Sequence, residues 1–532
     1  MVIRSFKYPK IHAHDCSHSH LGSYHRSVKS QQDNERKGLR RENGKDSSRL
    51  HPPPPTALCP QRFPGCNLES LKAVRHALID NHTKYHIFWN DIKFHNHVTH
   101  RALAIYALGG SGTLIETFYK QDVKVQRAAF TSPEPITAQN FVEHLNDENY
   151  YQAYTTFFSE AIEEKGASAT LEEFIFSEQY NFQPGRDAAS QPEMLCRFVD
   201  AVMHPLIQSG HGVEFGLKGM LAEGLALAAV HGVHAPGFLP RSMFVAQPGD
   251  DIDGVRNGFA SLVLDGQSSA TNLKSASGQA THAFSILARI LKDPGLASAG
   301  PRLPFGQYPD TLVTRGDKIR EHVQSWTIDI SKPGEIERKM EECIWTSSVI
   351  YAIGGWRNGF TADFFLMHMV TSSIFLPSLI AYLSPRAQVL LLRAYLTSAV
   401  TWWVTRGRPS LNFKSFFEST STVPNPPNSP AVPPAEHILA EDAQTPNPFL
   451  PLIQSSIAHP SDHHPKIQRA FAHFSTIYGA RPKGYFAGTE LDGAEELDGS
   501  LFVRAAVQTA DYMGWAREGE EAKGWCLEGF YV

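Results

Sequence analysis

Histidine is the residue type whose placement in this chain most invites chemistry, because it recurs at four places inside apolar, helix-period stretches. The first is Phe94-His95-Asn96-His97-Val98-Thr99-His100, directly ahead of the apolar run Ala102–Leu108. On a helix, His97 and His100 stand about 60° apart round the axis and can face one cavity. The second is His204-Pro205-Leu206-Ile207-Gln208-Ser209-Gly210-His211, with Glu214 behind it. If the helix runs on through Gly210, His211 returns to within about 20° of His204, about 10 Å further along. The third is His231, at the end of Ala226–Val230, with His234 close behind; the fourth is His368, in Phe364-Phe365-Leu366-Met367-His368-Met369. A single histidine on an apolar face is ordinarily a core residue with one buried partner, but several on separate helices each need their own. Neutral imidazoles converging from different helices make either a metal site or an acid–base pocket, and the residues alone leave both open. Ahead of the His368 stretch, Gly354-Gly355-Trp356-Arg357-Asn358-Gly359 offers Arg357 as a counter-charge for a developing anion, or else a plain structural turn.

The fingerprints of several common chemistries are missing. Gly109-Gly110-Ser111-Gly112 lacks the spaced third glycine of a dinucleotide loop and follows a helix instead of a strand, which predicts a helix C-cap. There is no Walker loop, no H-E-x-x-H and no G-x-S-x-G. No recognisable motif binds flavin, so no tightly bound cofactor is expected.

These side chains must be carried by helices. Helix-period stretches run Leu68–Asn90, His97–Lys120, Val142–Glu164, Pro192–Gln208 and Val213–His231, then Thr271–Leu291, Ile336–Ile353, Thr361–Leu383 and Pro385–Thr405. Neither strands separated by hairpin turns nor a strand–helix alternation is visible. The prediction is an all-α fold with one large multi-helix catalytic domain over residues 67–418. Residues 1–66 are polar, carry His12, His14, His18 and His20 around Cys16, and predict a disordered tail. Residues 419–451 are proline-rich and predict an extended loop. Residues 452–532 hold two further helical stretches, Lys466–Tyr478 and Leu501–Trp515, expected to pack back on the main body.

A hydrophobic fraction of 42% in 532 residues permits a substantial core, and a formal net charge of -5 argues against a nucleic-acid partner. Six scattered cysteines, none in C-x-x-C spacing, read as reduced structural thiols. The start of the chain turns polar at once, without the apolar core of a signal peptide, and Phe364–Leu383 reads as a core helix and not a membrane span. The expected location is cytoplasmic, with no membrane partner.

Taken in order, three blocks resemble the questin-oxidase-like family: HNHVTHRALAIYALGG from His95, HPLIQSGHGVEFG from His204, and FFLMHMVTSSIFLPSL from Phe364. Two shorter blocks agree, VTRGRPSL from Val404 and DHHPKIQRAFAHF from Asp462. The resemblance implies a fungal-type oxidase acting on an anthraquinone or related aromatic polyketide. It would insert oxygen beside a quinone carbonyl in Baeyer–Villiger fashion and open the ring. By matching blocks, it implies that His97, His204 and His368 line the site, with His100, His211 and His231 as secondary positions. Dioxygen is the implied co-substrate, with NADPH as a candidate reductant acting here or through a partner reductase. Some members resemble non-haem iron enzymes with several histidines and a carboxylated lysine; the iron ligands here would then be His97, His204, His368 and His231. No lysine lies between Lys339 and Lys414, and the helix where one would be sought offers Tyr395, which favours a metal-free site. Three functions are carried forward: the Baeyer–Villiger-type oxygenase, an iron dioxygenase cleaving a carbon–carbon bond of the same substrate class, and a non-catalytic helical polyketide binder.

Overall fold

A computed structural model describes residues 50, 60, 62–234, 236–244, 281–297, 300, 307–428 and 446–531. Helices make up 60% of the structure, and strand pairing among the described residues is limited to isolated bridges such as Phe88 with His95. The fold is all-α, as the periodicity predicts. Most of the predicted tail, including His12 to His20, lies outside the described residues, as do 271–280 of a predicted helix and 429–445 of the proline-rich stretch. Near its end, the predicted tail is already docked: the Phe63 amide donates to Ala107 O at 2.9 Å, and Cys66 Sγ donates to Tyr106 O.

Local chemistry sets the helix ends. Asn67 and Ser70 close a reciprocal capping box on Leu68–Lys84. The predicted His97–Lys120 stretch is two helices, Val98–Ala107 and Gly112–Asp122. Between them Gly109 takes φ 80°, and the Gly110 amide reaches back to Ile105 O at 2.9 Å, the C-cap that the glycine pair predicts. Thr361–Leu383 also divides, into Phe364–Ser373 and Leu376–Ile380, because Pro377 has no amide to continue the first ladder. The break predicted at residues 209–212 moves downstream: His204–Glu214 runs through Gly210, and the chain turns at Gly216 (φ 66°) before Lys218–Val230. Gln307–Gln324 was not predicted, since its polar residues mask a buried stripe of Tyr308, Thr311, Leu312, Ile319 and Val323 at helical spacing.

The described core has two apolar regions. The larger gathers Leu206, Ile207, Met367, Val370, Trp403 and their neighbours; the smaller gathers Val74, Leu103, Ile105, Phe215 and Ile453. Helix Val98–Ala107 belongs to the second, whereas His204–Glu214 and Phe364–Ser373 belong mainly to the first. Helix His464–Tyr478 packs against both Val98–Ala107 and Phe364–Ser373. The polar side chains of interest therefore meet at the seam between the two cores. Among the described residues, no helix is long and apolar enough to cross a membrane.

Candidate active site

Three helices begin where these histidines meet. His97 is the N-cap of Val98–Ala107, His204 is the first residue of His204–Glu214, and His463 is the N-cap of His464–Tyr478. His368 comes from the second turn of Phe364–Ser373. That helix is anchored by Asp363, which accepts from the Phe365 and Leu366 amides and pairs with the fully buried Arg406 at 2.9 Å. Ahead of His204, Ala201, Val202 and Met203 all take φ between 52° and 66°. Left-handed backbone costs non-glycine residues roughly 1–2 kcal/mol each, so the strain must be held by the fold. It turns Ala201 O onto His204 Nδ1, 2.6 Å away.

The hydrogen bonds fix which ring nitrogens are free. His204 Nδ1 donates to Ala201 O, and His368 Nδ1 donates to Phe364 O at 2.7 Å. His97 Nδ1 donates to Asp462 Oδ2 and His463 Nδ1 to Asp462 Oδ1, both at 2.8 Å. Each ring then keeps its lone pair on Nε2. The Nε2 atoms of His368 and His463 are buried without a hydrogen-bond partner, and those of His97 and His204 face each other at 2.8 Å. Two lone pairs at that separation repel unless a proton or a cation lies between them. Ligand nitrogens on one transition-metal ion sit about 3 Å apart, since each bond is about 2.1 Å. His97, His204 and His463 offer atoms all within 4.8 Å of one another, and the His368 ring centre is 4.9 Å from those of His204 and His463. Imidazoles oriented from behind by backbone carbonyls and a carboxylate have the build of a metal centre.

Burial pushes the His204, His368 and His100 imidazoles well below their usual range, and neighbouring histidines add to the effect. His463 is pushed down to about 3 by burial, although Asp462 pulls the other way. The rings are therefore neutral near pH 7, as ligation or proton acceptance requires. Burial alone would raise the Asp462 carboxyl, but His463, Lys466 and His97 together hold it well below the usual carboxylate range. Lys466 Nζ lies 3.3 Å from Asp462 Oδ2, and burial lowers its ammonium.

A narrow cavity opens beside the cluster. His100, His204, His211, His368 and Lys466 supply its polar wall, and Ala104, Ile207, Ile374 and Phe375 its apolar one. Its centre takes about one water-sized group, so a tricyclic ligand enters only if side chains such as Phe375 move. Arg469 also lines it and pairs with the buried Glu214.

The family model described as questin oxidase-like matches residues 94–471, most of the chain and every residue of this cluster. The chain belongs to the questin oxidase-like family. A protein named questin oxidase from Aspergillus terreus is 24% identical to it, over 68% of this chain and 75% of that protein. A Baeyer–Villiger oxidase of Pestalotiopsis fici is 26% identical over 64% of this chain and 71% of its own length. A Baeyer–Villiger oxidase of Emericella nidulans is 25% identical over 65% and 72%.

Within this questin oxidase-like chain, the structure brings His97, His100, His204, His211 and His368 to one place. His231 lies behind His95: its ring centre is 5.4 Å from that of His95, which in turn stacks on His204 at 3.9 Å. His463, not His231, completes the group around His97 and His204. Arg357 does not line the cavity; its guanidinium donates to Phe530 O at 2.6 Å and covers the Phe530 ring. Tyr395 is also elsewhere, bonded to Ser347, Ser372 and Met369 O. The lysine at the cluster is Lys466, which lies outside the lysine-free stretch between Lys339 and Lys414. The signal for His463, Lys466 and Arg469 lay in the Asp462–Phe474 block, whose two adjacent histidines and lysine are spaced to share one helix start.

Proposed function

We propose that this protein is an oxidase that inserts one oxygen atom from dioxygen beside a ring carbonyl of an anthraquinone-type polyketide, in Baeyer–Villiger fashion, and so opens the ring. The observation that carries this reading is a buried set of neutral imidazoles with free lone pairs at the start of three helices, in a chain whose relatives bear the names questin oxidase and Baeyer–Villiger oxidase. Converging helix N-termini favour negative charge, which suits a substrate phenolate or enolate. A reduced anthraquinone supplies two electrons; one oxygen atom enters the ring and the other leaves as water. The apolar wall of Ile207, Ile374 and Phe375 keeps competing water out, and the imidazole lone pairs accept hydrogen bonds from the substrate hydroxyls. Reduction of the quinone, by NADPH here or through a partner reductase, is the electron supply we assign to the reaction.

A second reading within the same substrate class is the iron-dependent one, favoured by the contact between the His97 and His204 Nε2 atoms. His97, His204, His368 and His463 would hold the ion, with Lys466 beside it. Bound there, iron would supply dioxygen activation. Incubation with a reduced hydroxyanthraquinone under isotopically labelled dioxygen tests the function. We expect oxygen consumption and a ring-opened product carrying one labelled atom, whereas an unlabelled product or no consumption overturns the proposal. Metal analysis of the purified protein and loss of turnover with a chelator separate the iron reading from the metal-free one.

A further inference from the structure

Behind the cavity wall, a line of hydrogen bonds leads away from His100. Its Nε2 lies 2.5 Å from Gln208 Oε1, the Gln208 amide nitrogen donates to Glu223 Oε2 at 2.6 Å, and Glu223 Oε1 lies 2.6 Å from His82 Nδ1. The four side chains come from four helices: His82 from Leu68–Lys84, His100 from the first turn of Val98–Ala107, Gln208 from His204–Glu214 and Glu223 from Lys218–Val230. Only the His82 end approaches solvent; Glu223, Gln208 and His100 are buried.

The direction of every bond follows from one chemical fact. A carboxylate only accepts, so Glu223 takes hydrogens from His82 Nδ1 on one side and from the Gln208 amide on the other. Gln208 must then turn its carbonyl oxygen toward His100, which obliges His100 Nε2 to carry the hydrogen. In a neutral imidazole that leaves the lone pair on Nδ1. Nδ1 is buried, has no hydrogen-bond partner, and belongs to a side chain that lines the cavity. His97, His204, His368 and His463 all give away their Nδ1 hydrogens, so His100 is held the other way round from the four rings that surround the common centre.

We propose that His82, Glu223 and Gln208 are positioning residues that fix His100 in its Nε2–H tautomer, and that His100 Nδ1 accepts the hydrogen bond of a phenolic hydroxyl on the substrate. The proposal rests on the oxidase reading above and adds the group recognised. The space beside His100 takes one water-sized group, which a hydroxyl on the rim of a flat ring fills. Ala104, Ile207, Ile374 and Phe375 border the same space, so a hydroxyl carried on an aryl ring satisfies both the lone pair and the apolar walls, whereas water satisfies only the lone pair.

Binding in the absence of air tests this without turnover. Alizarin, a dihydroxyanthraquinone, and hydroxyl-free anthraquinone are titrated into the full-length protein and followed by tryptophan fluorescence. Wild type is expected to prefer alizarin. Glu223→Gln, which frees the Gln208 amide to turn over, and Gln208→Leu are expected to lower that preference about tenfold, the size of one hydrogen bond to a buried acceptor. The swap Gln208→Glu with Glu223→Gln keeps one carboxylate and one amide, still offers an acceptor to His100 Nε2, and should restore most of the preference. Anthraquinone reports that each variant keeps an intact pocket and should bind all of them alike. Equal weakening of both ligands, or an unchanged preference in the variants, overturns the relay. A wild type that binds both ligands without preference overturns the acceptor role of His100 and leaves the oxidase reading standing. A wild type that binds neither overturns the substrate class itself.

Discussion

Two of the ionisable clusters buried among the described residues differ in how completely their bonds are made. Around Lys339, every strong group has a partner. Its Nζ donates to Glu342 Oε1 at 2.7 Å and to Thr281 O, while Glu342 Oε2 accepts from Trp326 Nε1 and from the Ala283 amide. Around His204, the donors are equally committed, to Ala201 O, Phe364 O and Asp462, but the acceptors on the facing side are not. Unmade bonds in a buried place cost free energy, roughly 1–3 kcal/mol per group. A fold keeps such a debt where something from outside is to fill it, and a saturated network where it needs a joint. The Lys339 cluster ties three segments together; the histidine cluster leaves the Nε2 atoms of His368 and His463 unpaired.

One substitution made at both clusters should separate them most sharply. Lys339→Met leaves the buried Glu342 without its cation and should cost roughly 3–5 kcal/mol of stability, read by urea denaturation, with turnover per folded molecule unchanged. Lys466→Met sits on Asp462, which keeps two histidine donors and is 27% exposed, so stability should barely move while oxygen consumption falls at least about tenfold. The reverse pattern would break the distinction.

Next in size are the rings themselves. His97→Ala, His204→Ala, His368→Ala and His463→Ala should each leave a folded protein and lower turnover by about 10²-fold or more. If iron is held, each also loses bound metal. Near-normal oxygen uptake in all four variants would reduce the cluster to core packing.

A third test uses pH. His86 is buried outside the cluster and is pushed down to about 4 from 6.5, by burial first and by Arg127 second. The unfolded chain therefore binds a proton that the folded chain refuses between those values. Stability contributed by the neutral ring is full above pH 6.5 and is lost as pH falls toward 4, by roughly 1.4 kcal/mol per pH unit for each such group. The cluster imidazoles shift in the same direction, so the melting temperature should fall steeply across this window. A flat profile from pH 6.5 to 4 contradicts the burial of neutral rings. The smallest effect is expected at Arg357, which holds Phe530 and not the cavity. Arg357→Ala should change turnover less than about threefold and cost about 1 kcal/mol by thermal melt.

Helix ends are legible in the sequence where a capping residue marks them. Pro385–Thr405 matches its predicted helix end for end, because Ser384 and Pro385 mark its start chemically and its apolar spacing marks its length. The Thr361–Leu383 boundary failed at Pro377, where apolar content hid a break that places Ile374 and Phe375 on the cavity wall. Lys466 is not legible from the histidines around it in sequence, because the chain supplies it nearly 100 residues beyond His368.

What the sequence determined by itself is the all-α class and the family. Helical period, caps and motif blocks are local, and each carries its physical cause within a few residues of itself. What only tertiary structure decided is which histidines face one another, which nitrogens of His97 and His100 are left free, and which lysine joins them. His204 and His368 take their tautomers from carbonyls three and four residues back, Ala201 O and Phe364 O, whereas those of His97 and His100 depend on Asp462 and Gln208, set by the way separate helices meet. A ring's tautomer is chosen by the atom behind it, and where that atom lies on another helix no spacing along the chain specifies it.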